Sequence, residues 1–281
     1  MTVAIAVPTE QAVPTEQTEG HLRILSLLRS EWLKLRTVRS TMWSLVAMVV
    51  ISVGVAVIAC VETARQWHTM TLASRLSFDP TSSSLAGLTF SLLVIGVLGT
   101  LVVSAEYGTG TIRSSLAAVP NRPLLLATKA AVFALVAFAV GEVLSFASFL
   151  IGQSLLTSPA PHAALSQPGV LRAVIGGGLM VGVIGLLALG LATIIRHTAG
   201  ALTAFFGILL VLPAVISALP SSIGNPIEKF LPINITGTMT SVVHTNGGAP
   251  AFSPWTGFAI VCGYALVALV VGGVLMVRRD A

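Results

Sequence analysis

Apolar residues run through this chain in six long stretches, at residues 43–61, 85–105, 124–151, 170–195, 199–219 and 255–277, with polar connections between them. Each is close to or beyond the ~20 residues that carry a helix across a bilayer. The pattern predicts an all-α, polytopic membrane protein with six transmembrane helices. The third and fourth stretches exceed the span of a bilayer, so they tilt, kink or project beyond it. Trp43 stands at the start of the first as an interfacial anchor. Residues 21–40 follow another rhythm. Leu25, Leu28, Trp32 and Leu35 recur at helical spacing on one face, while Arg23, Ser30, Glu31 and Lys34 fall mostly on others. With five basic side chains this helix is too charged to span, and an amphipathic basic helix bearing a Trp lies in the headgroup layer.

Between the second and third stretches lies Glu106-Tyr107-Gly108-Thr109-Gly110-Thr111-Ile112-Arg113-Ser114-Ser115-Leu116-Ala117-Ala118-Val119-Pro120-Asn121-Arg122. It is too polar to be embedded in lipid. Gly108 and Gly110 let the backbone leave the second helix sharply. Thr109 or Thr111 can cap a new short helix, and Pro120 ends it. Ile112, Leu116 and Val119 share one face of that helix, with Arg113 off it. Pro123 is a good first-turn residue for the next long helix. The expected product is a short rigid lever across the mouths of two membrane helices, shaped to receive a push from outside the membrane.

The remaining segments divide the chain into a disordered tail over 1–20, the interfacial helix over 21–40 and a six-helix membrane domain over 41–281. The tail repeats Ala6-Val7-Pro8-Thr9-Glu10-Gln11 as Ala12-Val13-Pro14-Thr15-Glu16-Gln17 and has no basic region of the signal-peptide kind. Lys129 lies within two turns of the inner surface and can snorkel. Glu142 is deeper, where a carboxylate costs about 2.5–3.5 kcal/mol, so it faces protein or water, either in a helix-packing hydrogen bond or on a transport path. Gly178 and Gly182 have the small-xxx-small spacing of close helix contacts. Arg196-His197-Thr198 makes a tight inner turn into the fifth span. Between Pro220 and Pro254, Ile227, Phe230, Leu231, Ile233, Ile235 and Met239 are too apolar for a plain solvated loop and predict short helices or a partial re-entry.

Composition supports the membrane reading: 55% of residues are hydrophobic, 9% are charged, and mean hydropathy is +0.95. Charge fixes the expected orientation. With both termini inside, the inner segments hold Arg23, Arg29, Lys34, Arg36, Arg39, Arg113, Arg122, Lys129, Arg196, Arg278 and Arg279; the outer ones hold Arg65, Arg75, Arg172 and Lys229. That positive-inside bias places 106–122 and both termini in the cytoplasm. The basic residues track loop sidedness and form no continuous groove-binding patch, which argues against nucleic acid as a partner. Cys60 and Cys262 both fall in spans, so neither a disulfide framework nor a zinc site is expected, and no metal site is assigned. The chain has no H-E-x-x-H and no G-x-S-x-G, and none of Lys34, Lys129 and Lys229 follows a glycine, which excludes a G-K-[ST] phosphate loop. The chain is therefore not expected to be an enzyme, and any uphill transport draws its energy from an ion gradient or another polypeptide.

Two segments resemble a known family. Leu28-Arg29-Ser30-Glu31-Trp32-Leu33-Lys34-Leu35-Arg36-Thr37-Val38-Arg39-Ser40 is similar to the start of actinobacterial ATP-binding-cassette (ABC) type-2 permeases. Glu106 to Arg113, closing with Pro120-Asn121-Arg122, looks like that family's first cytoplasmic loop. The resemblance implies a multi-pass permease subunit of an exporter in the bacterial plasma membrane, with a coupling helix docking into a separate ABC ATPase subunit. It implies a second permease subunit, identical or similar, and ATP and Mg bound by the ATPase with no cofactor on this chain. Carried onto this sequence, Glu106, Gly108, Gly110, Thr111, Arg113, Leu116 and Arg122 form or support the coupling element, and Arg196 and His197 a smaller second contact. Two other readings stay open: an ion-coupled carrier that uses Glu142, and a membrane scaffold without transport.

Overall fold

The computed structural model describes residues 16–112, 114, 117, 121–156, 158, 160–243 and 251–279, with side chains described from Leu25 onward. All regular structure among them is helical. A leading helix, α1 (Glu16–Thr37), gives way after a single residue, Val38, to the first span, α2 (Arg39–Gln66). Two short helices follow, α3 (Leu72–Leu76) and α4 (Pro80–Ser84). The second, third and fourth spans are α5 (Leu88–Thr109), α6 (Arg122–Leu155) and α7 (Val170–Ile195). The fifth is α8 (Thr198–Phe206), a π-helical turn (Gly207–Val211) and α9 (Leu212–Ser217). After α10 (Ser221–Glu228) and α11 (Pro232–Thr240), α12 (Pro254–Arg279) is the sixth span. Among the described residues six helices are thus long and apolar enough to cross a membrane, in the six predicted places.

α7 is the axis of the bundle: α5, α6 and α12 all pack against it. Its glycines explain how three helices approach one. A methyl group on Gly178 would lie 2.7 Å from Glu142 Cδ, and one on Gly141 of α6 would lie 2.5 Å from the Gly178 carbonyl oxygen. Gly182 leaves room for the Phe138 ring, and Gly190 brings α12 close at Ala268. The predicted small-residue contact is therefore a real crossing, and Met180, Ile184 and Leu189 fill the interior beside it. α2 and the fifth span lie at the periphery, each with only 22% of its apolar window buried.

The π turn in the fifth span has an identifiable cause. Pro213 stands one residue beyond it, after Leu212, and a proline has no N–H to donate and crowds the carbonyl of the preceding turn. A wider turn absorbs both defects. The expectation of short helices between Pro220 and Pro254 also holds: α10 and α11 occupy that segment, and Met239 of α11 is fully buried against Gly176.

The ends that meet at α4 are tied through the backbone. Asp79 caps α4, its Oδ1 accepting from the Thr81 and Ser82 amides at 2.9 and 3.2 Å, while Oδ2 accepts from the Val242 and Val243 amides. Arg172, at the start of α7, donates to the carbonyls of Met239 at 3.0 Å and Ser241 at 2.8 Å.

Candidate functional site

The second span does not stop before Glu106, as its apolar run suggests. α5 stays helical through Glu106, Tyr107, Gly108 and Thr109, and ends at Gly110. Gly110 takes φ +74, a left-handed conformation that favours glycine, and its N–H donates to the Tyr107 carbonyl. Gly108 has open space around it, so no close approach demands a glycine there. Thr109 and Thr111 share a hydroxyl contact at 2.9 Å, and Thr109 also bonds the Ala105 carbonyl. Beyond them Ile112 is buried and helical, and Ser114 bonds the Thr111 carbonyl. Arg113 and Leu116, together with Val119 and Pro120, lie outside the described residues. On the far side Asn121 caps α6 by accepting from the Leu124 amide, and Pro123 stands in the first turn, as predicted. Arg122 donates to the Met276 and Val277 carbonyls at 3.3 and 3.1 Å, fastening the start of α6 to the end of α12.

Where α5 ends and α6 begins, four charged side chains from three helices meet. Lys129 of α6 donates to Glu31 Oε2 of α1 at 2.8 Å and to Glu106 Oε1 of α5 at 2.6 Å. Lys34 of α1 donates to Glu31 Oε1 at 2.8 Å and to Glu106 Oε1 at 3.1 Å. Two cations thus bridge two carboxylates in a closed, charge-balanced ring. The Lys129 side chain is 1% exposed, Glu31 7% and Glu106 14%, whereas Lys34 is 46% exposed and forms the wet edge. Burial by itself would raise the Glu31 pKa, but the charge and hydrogen bonds of Lys129, helped by Lys34, outweigh it and hold the carboxyl below its ordinary range. Burial likewise works to lower the Lys34 pKa, and its bonds to Glu31 and Glu106 reverse the sign, so its ammonium is held above the ordinary value.

This ring corrects one expectation. Lys129 does not snorkel to the surface; it turns inward, because two helices place carboxylates within its reach. The face that α1 turns to the bundle is centred on Glu31, while Trp32 on the nominal apolar face is left 42% exposed. Sequence reasoning missed the pairing because its partners lie 98 residues apart. The available signal was a lysine inside an apolar run and a glutamate inside a basic helix, each out of place alone.

The remaining predicted residues lie on either side of the ring. Arg196 closes α7 with φ +63, donates to the Leu275 carbonyl at 3.0 Å and sets its guanidinium 5.3 Å from the Tyr107 ring centroid. His197 caps α8, its Nδ1 accepting from the Gly200 amide at 3.4 Å. Both therefore work within the chain, next to the same inner stretch. Glu142 is far along α6 from the ring and packs against Gly178, with Oε1 buried and unpartnered among the described residues.

Comparison with known proteins gives one result. Residues 27–213 match the family model described as ABC-2 family transporter protein. The match begins within α1 and ends in the broken fifth span, so it takes in all four members of the charged ring. No curated protein matches the chain.

Proposed function

The chain belongs to the ABC-2 transporter family, and from that premise we propose that it is the membrane subunit of an ATP-driven exporter powered by a separate ABC ATPase. As a multi-pass member of a permease family it is a transport subunit. In the proposed arrangement both termini and residues 106–122 face the cytoplasm of a bacterial plasma membrane. ATP and Mg bind on the ATPase, and a second permease chain completes the transporter.

The observation that carries this reading is the buried Lys129, which joins α1, the end of α5 and the start of α6 into one unit beside the 106–122 stretch. Force applied to that stretch meets a rigid junction rather than a loose loop. Gly110 sets the angle at which the chain leaves α5, and Arg122 and Arg196 connect the same mouth to the end of α12. A pull on 106–122 would therefore shift α5, α6 and α12 together around α7. Glu106, Gly108, Gly110, Thr111, Arg113, Leu116 and Arg122 are the proposed coupling residues, with Arg196 and His197 supporting them.

The test is co-expression with an ABC ATPase and purification of the complex. ATP turnover should fall on Gly110→Pro, which cannot adopt the observed positive φ, and on Arg113→Glu. A chain that transports without an ATPase overturns the proposal. The unpartnered Glu142 Oε1 favours a second reading, an ion-coupled carrier. Collapse of the proton gradient at fixed ATP stops that carrier and leaves an ATP-driven exporter running.

A further inference from the structure

At the charged end of the bundle α6 and α12 both rest on α7, yet they hold each other apart along most of their length. Arg122 clasps them at the mouth through the Met276 and Val277 carbonyls. Above the clasp a groove of about 490 Å³ remains between them, within the size range of small-ligand sites. One wall is Pro123, Leu126, Ala127 and Ala130, a single stripe of α6 at helical spacing. The other is the stripe of α12 from Leu269 to Arg278, with Gly273 at its narrowest side chain. At 1.5 Å rise per residue these stripes run for about 10–14 Å, roughly the hydrocarbon depth of one leaflet. Val270, Val274 and Val277 are substantially exposed along it, so the groove opens sideways towards lipid.

An apolar gap of that size loses dispersion contacts on every wall if it stays empty, so in a bilayer it is filled. What fills it is indicated by its mouth. Arg278 lines the groove where the apolar stripe ends and Arg279 follows it; both are exposed, and among the described residues neither is in an ion pair with a carboxylate. Asp280 lies outside the described residues. An acyl chain suits the groove, and an anionic phosphate suits the guanidinium groups above it.

We propose that the α6–α12 groove is a binding site for one anionic phospholipid, its acyl chain lying between Ala127 and Gly273 and its phosphate held by Arg278, with Arg279 adding positive charge at the same helix end. The site depends on the placement of the spans in a bilayer and not on the ATPase reading, so either can fail alone.

The experiment reconstitutes the full chain in bilayer discs of equimolar phosphatidylglycerol and phosphatidylcholine and reads retained lipids by native mass spectrometry. The wild type should retain phosphatidylglycerol over phosphatidylcholine by roughly tenfold, as expected for two arginines at a headgroup. Arg278→Gln with Arg279→Gln should abolish the preference while a lipid is still retained. Gly273→Phe should fill the groove and lose the bound lipid; Ala127→Leu, a smaller filling, keeps the test open if the Phe variant does not fold. Excess inorganic phosphate should not displace the lipid, since the chain contributes the hold. Equal retention of the two lipids, unchanged retention in both groove-filling variants, or a groove-filling change that alters only the oligomeric state would each overturn the proposal. The last result would assign the groove to a second copy of the chain.

Discussion

The two ends of the bundle are fastened by different chemistry. At the end that holds α4, charged side chains grip main-chain groups alone: Asp79 takes four backbone amides and Arg172 two carbonyls. At the opposite end Arg122 and Arg196 also take carbonyls, but Glu31, Lys34, Glu106 and Lys129 in addition grip one another in a ring. A backbone group has a fixed place in its helix, so ties to it define one geometry. An ion-pair ring can exchange partners without breaking a helix. The Asp79 end is therefore held by fixed ties alone, and the ring end combines fixed ties with an adjustable joint, beside the stretch on which the proposed ATPase would act.

The sharpest way to break this contrast is Lys129→Met. It leaves two largely buried carboxylates sharing only the half-exposed Lys34, and removal of one partner from a buried pair costs about 3–5 kcal/mol. The melting temperature in detergent should fall accordingly, and adding Glu31→Gln and Glu106→Gln should recover much of the loss. Asp79→Ala tests the end held by fixed ties alone. Hydrogen bonds to a charged group contribute about 1.5–3 kcal/mol, so a loss of that order is expected, with Asp79→Asn milder because one oxygen can still cap α4. Gly178→Ala probes the α6–α7 crossing between the two ends. Its new methyl meets Glu142 at 2.7 Å, and overpacking of this kind costs about 1–3 kcal/mol. Lys34→Gln should have the smallest effect, about 0–1 kcal/mol, because its ammonium sits at the exposed edge.

Acidity separates the ends as well. The folded pKa of Glu31 is depressed, so its stabilising contribution is complete above the ordinary carboxyl range and is lost as pH falls through the folded value. That of Lys34 is raised, so its contribution is complete below the ordinary lysine range and is lost only as pH rises through the folded value. Thermal melts should show a plateau through neutral pH. The acid limb should be shallower in Glu31→Gln than in the wild type.

Elements set by local pattern were legible in the sequence. Six apolar runs gave six spans, Pro213 accounts for the break in the fifth, and Gly178 with Gly182 marked the axis at which helices cross. Pro123 was readable as a first-turn residue of α6. The site was less legible. The helical stretch through Glu106 to Thr109 looked like the start of a loop, since a glutamate ends an apolar run whether or not the helix ends with it. The burial of Glu31 was hidden because a helix's polar face is ordinarily its wet one, and only the position of Lys129 on another helix makes it dry. Long-range charge pairing leaves no periodic trace in either partner.

The two oxygens of Asp79 also impose an order of assembly. One is satisfied within its own turn as soon as α4 forms, while the other finds its amides 163 and 164 residues later in the chain. As synthesis proceeds from the N-terminus, the first helical hairpin reaches the bilayer with half of this carboxylate unanswered. Only when the ribosome has delivered α11 can that rim be stitched shut, which makes that single side chain a register of how much of the protein has arrived.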